Sequence, residues 1–564
     1  MGKKFELIER DEEGNVVSMS EISMPYGGEI PDAKTLVSSW SAHNVLKPKL
    51  DALSGDELRK FSEFAIEQGT KMPFIEVEKG IIAAGRKDMQ NAIEYVLKSA
   101  KFDIPVCPIC GGNMESCGRC KKKILTATGA VEISQPRYVC REHVNQVVYP
   151  MEGYIQLIVH EIDKEDGSKE TSTVKCTPNA AASIAMVSAE MPYLPACQIL
   201  NRLAGMNVDV MTGFRATDYI TSKFSFEQRP VMDLAEIKNA TERFGISPLS
   251  VRFVELDAIE DRDKYDKIVG LALDDKPEGI TYTSYSGKKI RVMYVMPDGT
   301  GVPGRKEELQ GVKGKQADGS AKTFEAKIGV VFIVEYTEDG KPLLNEDGTI
   351  YRDKVVKYVG TCKGSEEFGP MLYQHAVDNG MLEVDSVVFI GDGAKWIWNI
   401  QDRFFPNALG VIDQFHAIEH VNSMVDLLQF KGKGGADKKD KFKGKCIKLL
   451  RQGKIQEMLD LIDTMPCKQE KDAKLKTAKE YFSSNTERMK YGTLTACGIF
   501  VGSGVIEAGC KVIVGNRMEV AGARWKKANG ENMIEFRCAI RNGDFQKAYP
   551  CEYNYKAVEL KVAA

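Results

Sequence analysis

Residues 291–305 read RVMYVMPDGTGVPGR, and the passage from an apolar run into Asp-Gly decides how the chain is read. Arg291 to Met296 is short and β-prone, the pattern of a strand, and it sets Asp298 at the strand's end with Gly299 and Gly301 behind it. Residues 387–398, VVFIGDGAKWIW, repeat the arrangement with Asp392, and a third acid, Glu507, follows glycines in GSGVIEAGCK at 502–511. A single Asp-Gly after a strand is ordinarily a turn, but three acids in such settings ask for a joint reason. Carboxylates at strand ends, with glycines letting a substrate backbone approach, suit hard divalent cations that take oxygen ligands. Two such ions about 4 Å apart activate an attacking oxygen and stabilise a leaving one in phosphodiester chemistry.

Around these acids the pattern is strand-rich, with Ile328 to Glu335 and Val355 to Gly360 as further short β-prone runs and a helix from near Phe368, as in an α/β core. Lys431 to Lys454 is lysine-rich and glycine-containing, inside a helical region reaching Thr486, and reads as a solvated linker and helix face. Upstream, Ala180 to Phe224 is alanine-rich with turns near Pro192 and Gly205, predicting two or three short helices that suit a helix-turn-helix DNA reader as well as ordinary packing. Pro31 to Lys101 reads as helical, with Leu58, Phe61, Phe64 and Ala65 at helical spacing and Ser54 with Glu57 as a capping box.

At 564 residues, with 43% hydrophobic and 28% charged residues, the chain suits roughly two to four soluble globular domains and not a collagenous, disordered or membrane class. No apolar run reaches membrane-spanning length. The start, MGKKFELIERD, lacks a secretory segment, which predicts a cytoplasmic protein with no membrane partner. A formal net charge of -3 gives no global sign of nucleic-acid binding, so any such partner must be held by local basic patches.

Fourteen cysteines in such a chain are better tested as metal ligands than as disulfides. Cys107-Pro-Ile-Cys110-Gly-Gly has zinc-knuckle spacing, and two second halves compete for it: Cys117-Gly-Arg-Cys120, and Cys140-Arg-Glu-His143. The favoured set is Cys107, Cys110, Cys140 and His143, because a hairpin between two knuckles makes a ribbon and Cys140 ends the strand-like run Val131 to Val139. Zn²⁺ there replaces a core that so short a segment cannot build, so its role is structural.

Longer motifs give the chain a relative. DGTGVPGRKEELQGVKGKQADGSAKTFEAKIGVVF (298–332), GDGAKWIWN (391–399), FPNALGVIDQFHAIEH (405–420), GSGVIEAGCK (502–511) and RMEVAGARW (517–525) occur in that order, and together they resemble the Kra-type transposases of bacterial insertion sequences, within the Mutator-like group of DDE transposases. The resemblance is strong over 291–542 and looser over the cysteine module and the helices after it. It implies an α/β, RNase H-like mixed-sheet core with a helical insertion, preceded by helical segments and a small zinc-ribbon module. The expected divisions are a mainly helical 1–102, a ribbon at 103–165, a helical DNA-end-binding region at 166–288, core at 289–420, insertion at 421–488, and the rest of the core with the tail at 489–564.

The resemblance also implies roles. Asp298, Asp392 and Glu507 become the catalytic triad holding Mg²⁺ or Mn²⁺, and the family's D-x-x-H signature falls on Asp413 and His416. His416 either orients a phosphate or the attacking water, or packs on the sheet beside Phe415. Trp396 and Trp398 read as core aromatics ahead of base-stacking groups. Trp525, among Arg524, Lys526 and Lys527, either stacks an unpaired base while the cations hold phosphates or is ordinary packing. The family ends its ribbon on cysteine where this chain has His143, and Cys117 with Cys120 is an extra pair. The implied activity is metal-dependent cleavage of insertion-sequence ends and strand transfer into target DNA, by a homo-oligomer on DNA in the nucleoid. The alternatives are an idle or co-opted DNA-binding descendant and a nuclease without strand transfer.

Overall fold

A computed structural model describes residues 4–10, 16–23 and 55–544, apart from 69–70, 144, 164–168, 224–233, 275–279, 315, 317–318, 354, 431–433 and 468. Two compact units divide the chain: Met1–Ile124 with Thr128–Tyr154, and Leu125–Ala127 with Ile155–Ala564.

The first unit opens with a hairpin of β1 (Lys4–Arg10) and β2 (Val16–Ser23), paired antiparallel with Phe5 opposite Ile22 and Leu7 opposite Ser20. The hairpin precedes the helices that predominate among the described residues of 1–102, and the alternation of Phe5 and Leu7 with the Gly14-Asn15 pair carries its signal in the sequence. Helices α1 (Asp56–Gln68) and α2 (Phe74–Ser99) follow. Ser54, half of the expected capping box, lies outside the described residues. The free amides at the start of α1 are met instead by buried Asp88 of α2, which accepts from Glu57 N at 3.1 Å and Leu58 N at 3.0 Å. A three-stranded sheet completes the unit, with β3 (Glu115–Thr126), β4 (Gly129–Val139) and β5 (Val147–Val148) in that order.

The second unit is built on a five-stranded mixed sheet of β6 (Ile290–Pro303), β7 (Thr323–Tyr336), β8 (Lys357–Thr361), β9 (Ser386–Gly391) and β10 (Leu409–Ile412), in the order β8-β7-β6-β9-β10. The β6–β7 and β7–β8 pairs are antiparallel, whereas β6–β9 and β9–β10 are parallel. The strands read as nearly unbroken apolar runs because both faces are covered, and Val292 to Met296 are fully buried.

Upstream of the sheet stand α3 (Pro178–Glu190), α4 (Tyr193–Leu203) and α5 (Val210–Lys223), the three short helices expected from the alanine-rich segment. On one side of β7, α6 (Ser365–Asp378) approaches so closely at Gly329 that a Cβ there would stand 2.5 Å from Leu372 Cδ1. After β9 comes α7 (Lys395–Phe404), and after β10 four helices, α8 (Gln414–Val425), α9 (Gly435–Arg451), α10 (Ile455–Asp463) and α11 (Asp472–Ser484). The lysine-rich α9 buries Cys446 and Leu450 and turns most of its length to solvent. The chain then returns to the sheet with α12 (Gly504–Cys510), whose Gly509 lies against Val330 and Tyr358, and α13 (Lys527–Asn542), whose Ile534 meets Gly360 of β8.

β6 is longer than its apolar run. It stays paired with β7 through both glycines, so Asp298 sits within the strand opposite Ile328, not at its end. Among the described residues no helix is long and apolar enough to cross a membrane.

Candidate functional site

Cys107, Cys110, Cys140 and His143 bring their ligand atoms within 4.8 Å of one another, a group that could hold a metal such as zinc. The first knuckle closes through Cys107 N to Gly112 O and Gly111 N to Cys107 O, both 2.8 Å, with Gly111 at φ 69, where a side chain would be strained. Cys140 follows β4 directly, and Gln146 N closes the second turn on His143 O at 2.7 Å. Cys110 Sγ to Cys140 Sγ is 3.7 Å, Cys140 Sγ to His143 Nδ1 is 3.7 Å, and Cys107 Sγ to His143 Nδ1 is 3.9 Å. Tetrahedral Zn²⁺ with bonds of about 2.3 Å to sulfur spaces its ligands by about 3.8 Å, so the residues fit the ion. Amide donation from Cys110, then from Ile109, together with the neighbouring thiols, pulls the Cys107 thiol down to about 7 against the effect of its burial. Cys117 and Cys120 stand on β3, outside the group. Three residues of strand span about 10 Å, too far for one ion.

Asp298, Asp392 and Asp413 belong to three neighbouring strands. In the parallel register Val295 faces Phe389 and Gly391 faces Ile412. Carried on by three residues and by one, it sets Asp298 beside Asp392 and Asp392 beside Asp413. The half-buried Asp298 carboxyl is pushed above the usual carboxylate range chiefly by burial; donation from Gly299 N at 2.7 Å opposes this and the nearby Asp392 charge adds to it. The Cys510 thiol of α12 donates to Asp298 Oδ2 at 3.6 Å and is itself pushed up, by burial and by that carboxylate. Asp392 Oδ1 accepts from Ala394 N at 2.7 Å, and its carbonyl from Trp398 Nε1 at 2.9 Å. Trp398 is buried, and Trp396 packs edge-on against Phe368, so both are core aromatics.

Asp413 is fully buried at the start of α8, where it caps the helix by accepting from His416 N at 2.9 Å. It also accepts from His416 Nδ1 and Ser503 N, each at 2.9 Å. The resemblance also groups Asp413 with Arg524, Trp525, Lys526 and Lys527 as DNA-binding, but its oxygens are turned inward and occupied by these donors. Partial burial works against the charged form of His416, but the Asp413 hydrogen bond and the Asp413 and Asp392 charges outweigh it and raise the imidazole's pKa. Ser503, which the sequence reading passed over, donates its Oγ to Glu507 Oε1 at 2.8 Å and so joins Asp413 to Glu507. Glu507 stands exposed on the first turn of α12. Among the described residues the acidic group that could hold a metal ion is Asp413, His416 and Glu507, within 4.8 Å of one another, and Asp298 and Asp392 are not part of it.

Trp525 departs from the base-stacking reading. It is buried, its Nε1 donates to Met518 O at 3.1 Å, and its backbone bridges Pro303 and Arg305 beyond the end of β6. The Arg517 guanidinium lies 5.0 Å from its ring centre and is itself buried, with Nε donating to Ser188 O at 2.6 Å, so Arg517 adds nothing to surface charge. Arg524, Lys526 and Lys527 are exposed.

No family model matches the chain. Over 152 residues it is 26% identical to a protein of Streptococcus gallolyticus described as the UPF0236 protein in the vanSb 3′ region. The match covers 27% of this chain and about a third of that relative's length, 32%.

Proposed function

We propose that the second unit is the RNase H-like catalytic body of a DDE transposase. The observation that carries this reading is the row of Asp298, within β6, beside Asp392 and Asp413, which directly follow β9 and β10, with Glu507 of α12 close to Asp413. Three antiparallel strands followed by two parallel ones, in the order β8-β7-β6-β9-β10, support the fold assignment.

The donor set supports hard cations. Asp298, Asp392 and Glu507 offer only oxygen, and two carboxylates close enough to raise one pKa gain from a positive charge between them. These three residues would hold Mg²⁺ or Mn²⁺, which in such sites activates an attacking oxygen and steadies the leaving one. Asp413 acts as a positioning residue, fixing His416 through Nδ1 and leaving Nε2 to orient a phosphate oxygen. In the first transfer a water oxygen bonds to phosphorus as the bond to the 3′-oxygen breaks at the element's end. In the second, that 3′-hydroxyl bonds to a target phosphorus, displaces the target's own 3′-oxygen and gives up its proton to solvent. No covalent protein intermediate is needed. Insertion-sequence ends and target DNA are the proposed partners, held by a homo-oligomer, and the helical region 166–288 serves DNA-end recognition.

The test incubates purified protein and Mg²⁺ with a labelled fragment carrying the ends of its element and a second DNA. Wild type should nick at the ends and join them, while Asp392→Ala falls by about 10³-fold or more, as loss of several kcal/mol of transition-state stabilisation requires. Equal binding by both proteins and cutting by neither, with any divalent ion, would overturn the proposal.

A further inference from the structure

One residue along β6 from Asp298, on the opposite face of the sheet from its carboxyl, opens a cleft of about 980 Å³ whose floor is the bare stretch of sheet at Gly299 and Gly301. Alternation along a strand sends successive residues to opposite faces: Asp298 turns toward Cys510 of α12, and Gly299 and Gly301 turn into the cleft. A Cβ at Gly299 would stand 2.7 Å from Glu325 Oε1 and one at Gly301 2.9 Å from Thr323 Oγ1, so side chains here would fill the floor. Five lysines from four separate segments line the walls: Lys313, Lys322, Lys327, Lys363 and Lys527. Two acids oppose them, Glu308 and Glu325, and Glu325 is taken up by Lys327 Nζ at 2.6 Å. Among the described residues no ion pair engages Lys313, Lys322 or Lys527, and all three are exposed.

A chain whose formal net charge is -3 thus gathers unneutralised cations around a floor without side chains, one residue from a carboxylate of the acidic centre. We infer that this cleft seats the phosphodiester backbone of duplex DNA running to or from the scissile phosphate. The inference rests on the proposed function and adds where the substrate lies. Lysine ammonium groups hold phosphates as point charges, without reading sequence, and the glycines let the strand settle against the sheet. The cleft therefore supplies affinity and register, and sequence choice must come from elsewhere in the chain.

The test measures full-length protein binding to duplex DNA by fluorescence anisotropy across a salt series, for wild type and for the triple variant Lys313→Gln/Lys322→Gln/Lys527→Gln. Each lost phosphate contact lowers the slope of log K against log salt by about 0.9, so the triple should lose about 2.7, on specific and scrambled DNA alike. Lys438→Gln/Lys441→Gln/Lys445→Gln on α9 removes the same charge from another exposed surface and should lose less. A cleft triple whose slope falls no further than the α9 triple overturns the inference. So does saturable ATP binding that the cleft triple abolishes while its DNA slope stays at the wild-type value, which would make the cleft a small-nucleotide pocket. The two readings fail separately: cleavage by wild type with an unchanged slope in the cleft triple sinks the cleft alone, and a steep, cleft-dependent slope without metal-dependent cleavage sinks the transposase reading and leaves the cleft standing.

Discussion

The cysteine cluster and the carboxylate row are both groups of metal-ligating side chains, but they stand on different foundations. Around Cys107, Cys110, Cys140 and His143 the buried core is Cys107, Met114 and Cys140, with Tyr138 and Val148 packed against it. The carboxylates crown a sheet whose central strands are buried along most of their length. So small a core cannot offset the entropy of ordering its loops, so a metal held by these four residues would stabilise that fold. Where the sheet already holds itself, the carboxylates need not be buried, and Glu507 stays exposed, as the proposed chemistry requires.

The largest effect that would break this contrast is on the cysteine side. Structural zinc supplies on the order of 10–16 kcal/mol of folding free energy, so Cys140→Ser or a strong chelator should unfold the ribbon completely. Metal analysis should then fall from about one zinc per chain to none, with new protease sites between β3 and β5. Cys117→Ser should keep its zinc. If Cys140→Ser retains the metal and Cys117→Ser loses it, the ligand set is wrong.

Within the acidic centre the comparison sharpens between a buried carboxylate and an exposed one. Asp413→Ala strips the acceptor from the amides of His416 and Ser503 and removes a helix cap, costing about 3 kcal/mol by the usual values for caps and stranded buried donors. Glu507→Gln should stay within about 0.5 kcal/mol of wild type, as exposed substitutions do, while removing metal-dependent activity. Urea unfolding separates the two, and equal stability in both variants would remove the positioning role given to Asp413.

On α6, packed against β7, burial gives the sheet's surroundings a pH signature that involves no metal ligand. Burial holds His375 of α6 neutral, with its pKa pushed down to about 4. An unfolded histidine titrates near 6.5, so between these values the unfolded state binds the extra proton. The contribution of His375 is intact above about pH 6.5 and is lost as pH falls toward 4, by about 2 kcal/mol at pH 5. Unfolding free energies of wild type and His375→Leu at pH 7.5 and 5.0 measure it. Wild type should lose about that much more than the variant, and parallel losses would show that His375 is accessible.

Local spacing made the ribbon legible: two cysteines with two residues between them, a strand, then Cys140 and His143. The sheet was legible as well, because its strands are apolar runs and Asp392 ends one. The row itself was hidden. Asp413 in VIDQFH becomes the third carboxylate only when β10 pairs with β9 in register, which no window of sequence contains. Lys313, Lys322, Lys363 and Lys527 likewise meet through the return of distant segments, whereas the α9 lysines form a run visible in the sequence and read there as a solvated face.

Trp525 shows the opposite error, a residue whose flanks misled. Exposed Arg524, Lys526 and Lys527 suggested a solvent-facing aromatic, yet pairing with Pro303 and Arg305 turns the indole inward over Arg517. Trp525→Phe keeps an aromatic ring but is smaller than indole and strands Met518 O, so it should cost at least about 1 kcal/mol of stability and leave DNA affinity unchanged. Its neighbour Arg524→Gln should do the reverse, moving stability by less than about 0.5 kcal/mol and lowering the salt slope of DNA binding by about 0.9 if that guanidinium meets a phosphate. Should Trp525→Phe weaken DNA binding at unchanged stability, the indole must leave its pocket to reach a base.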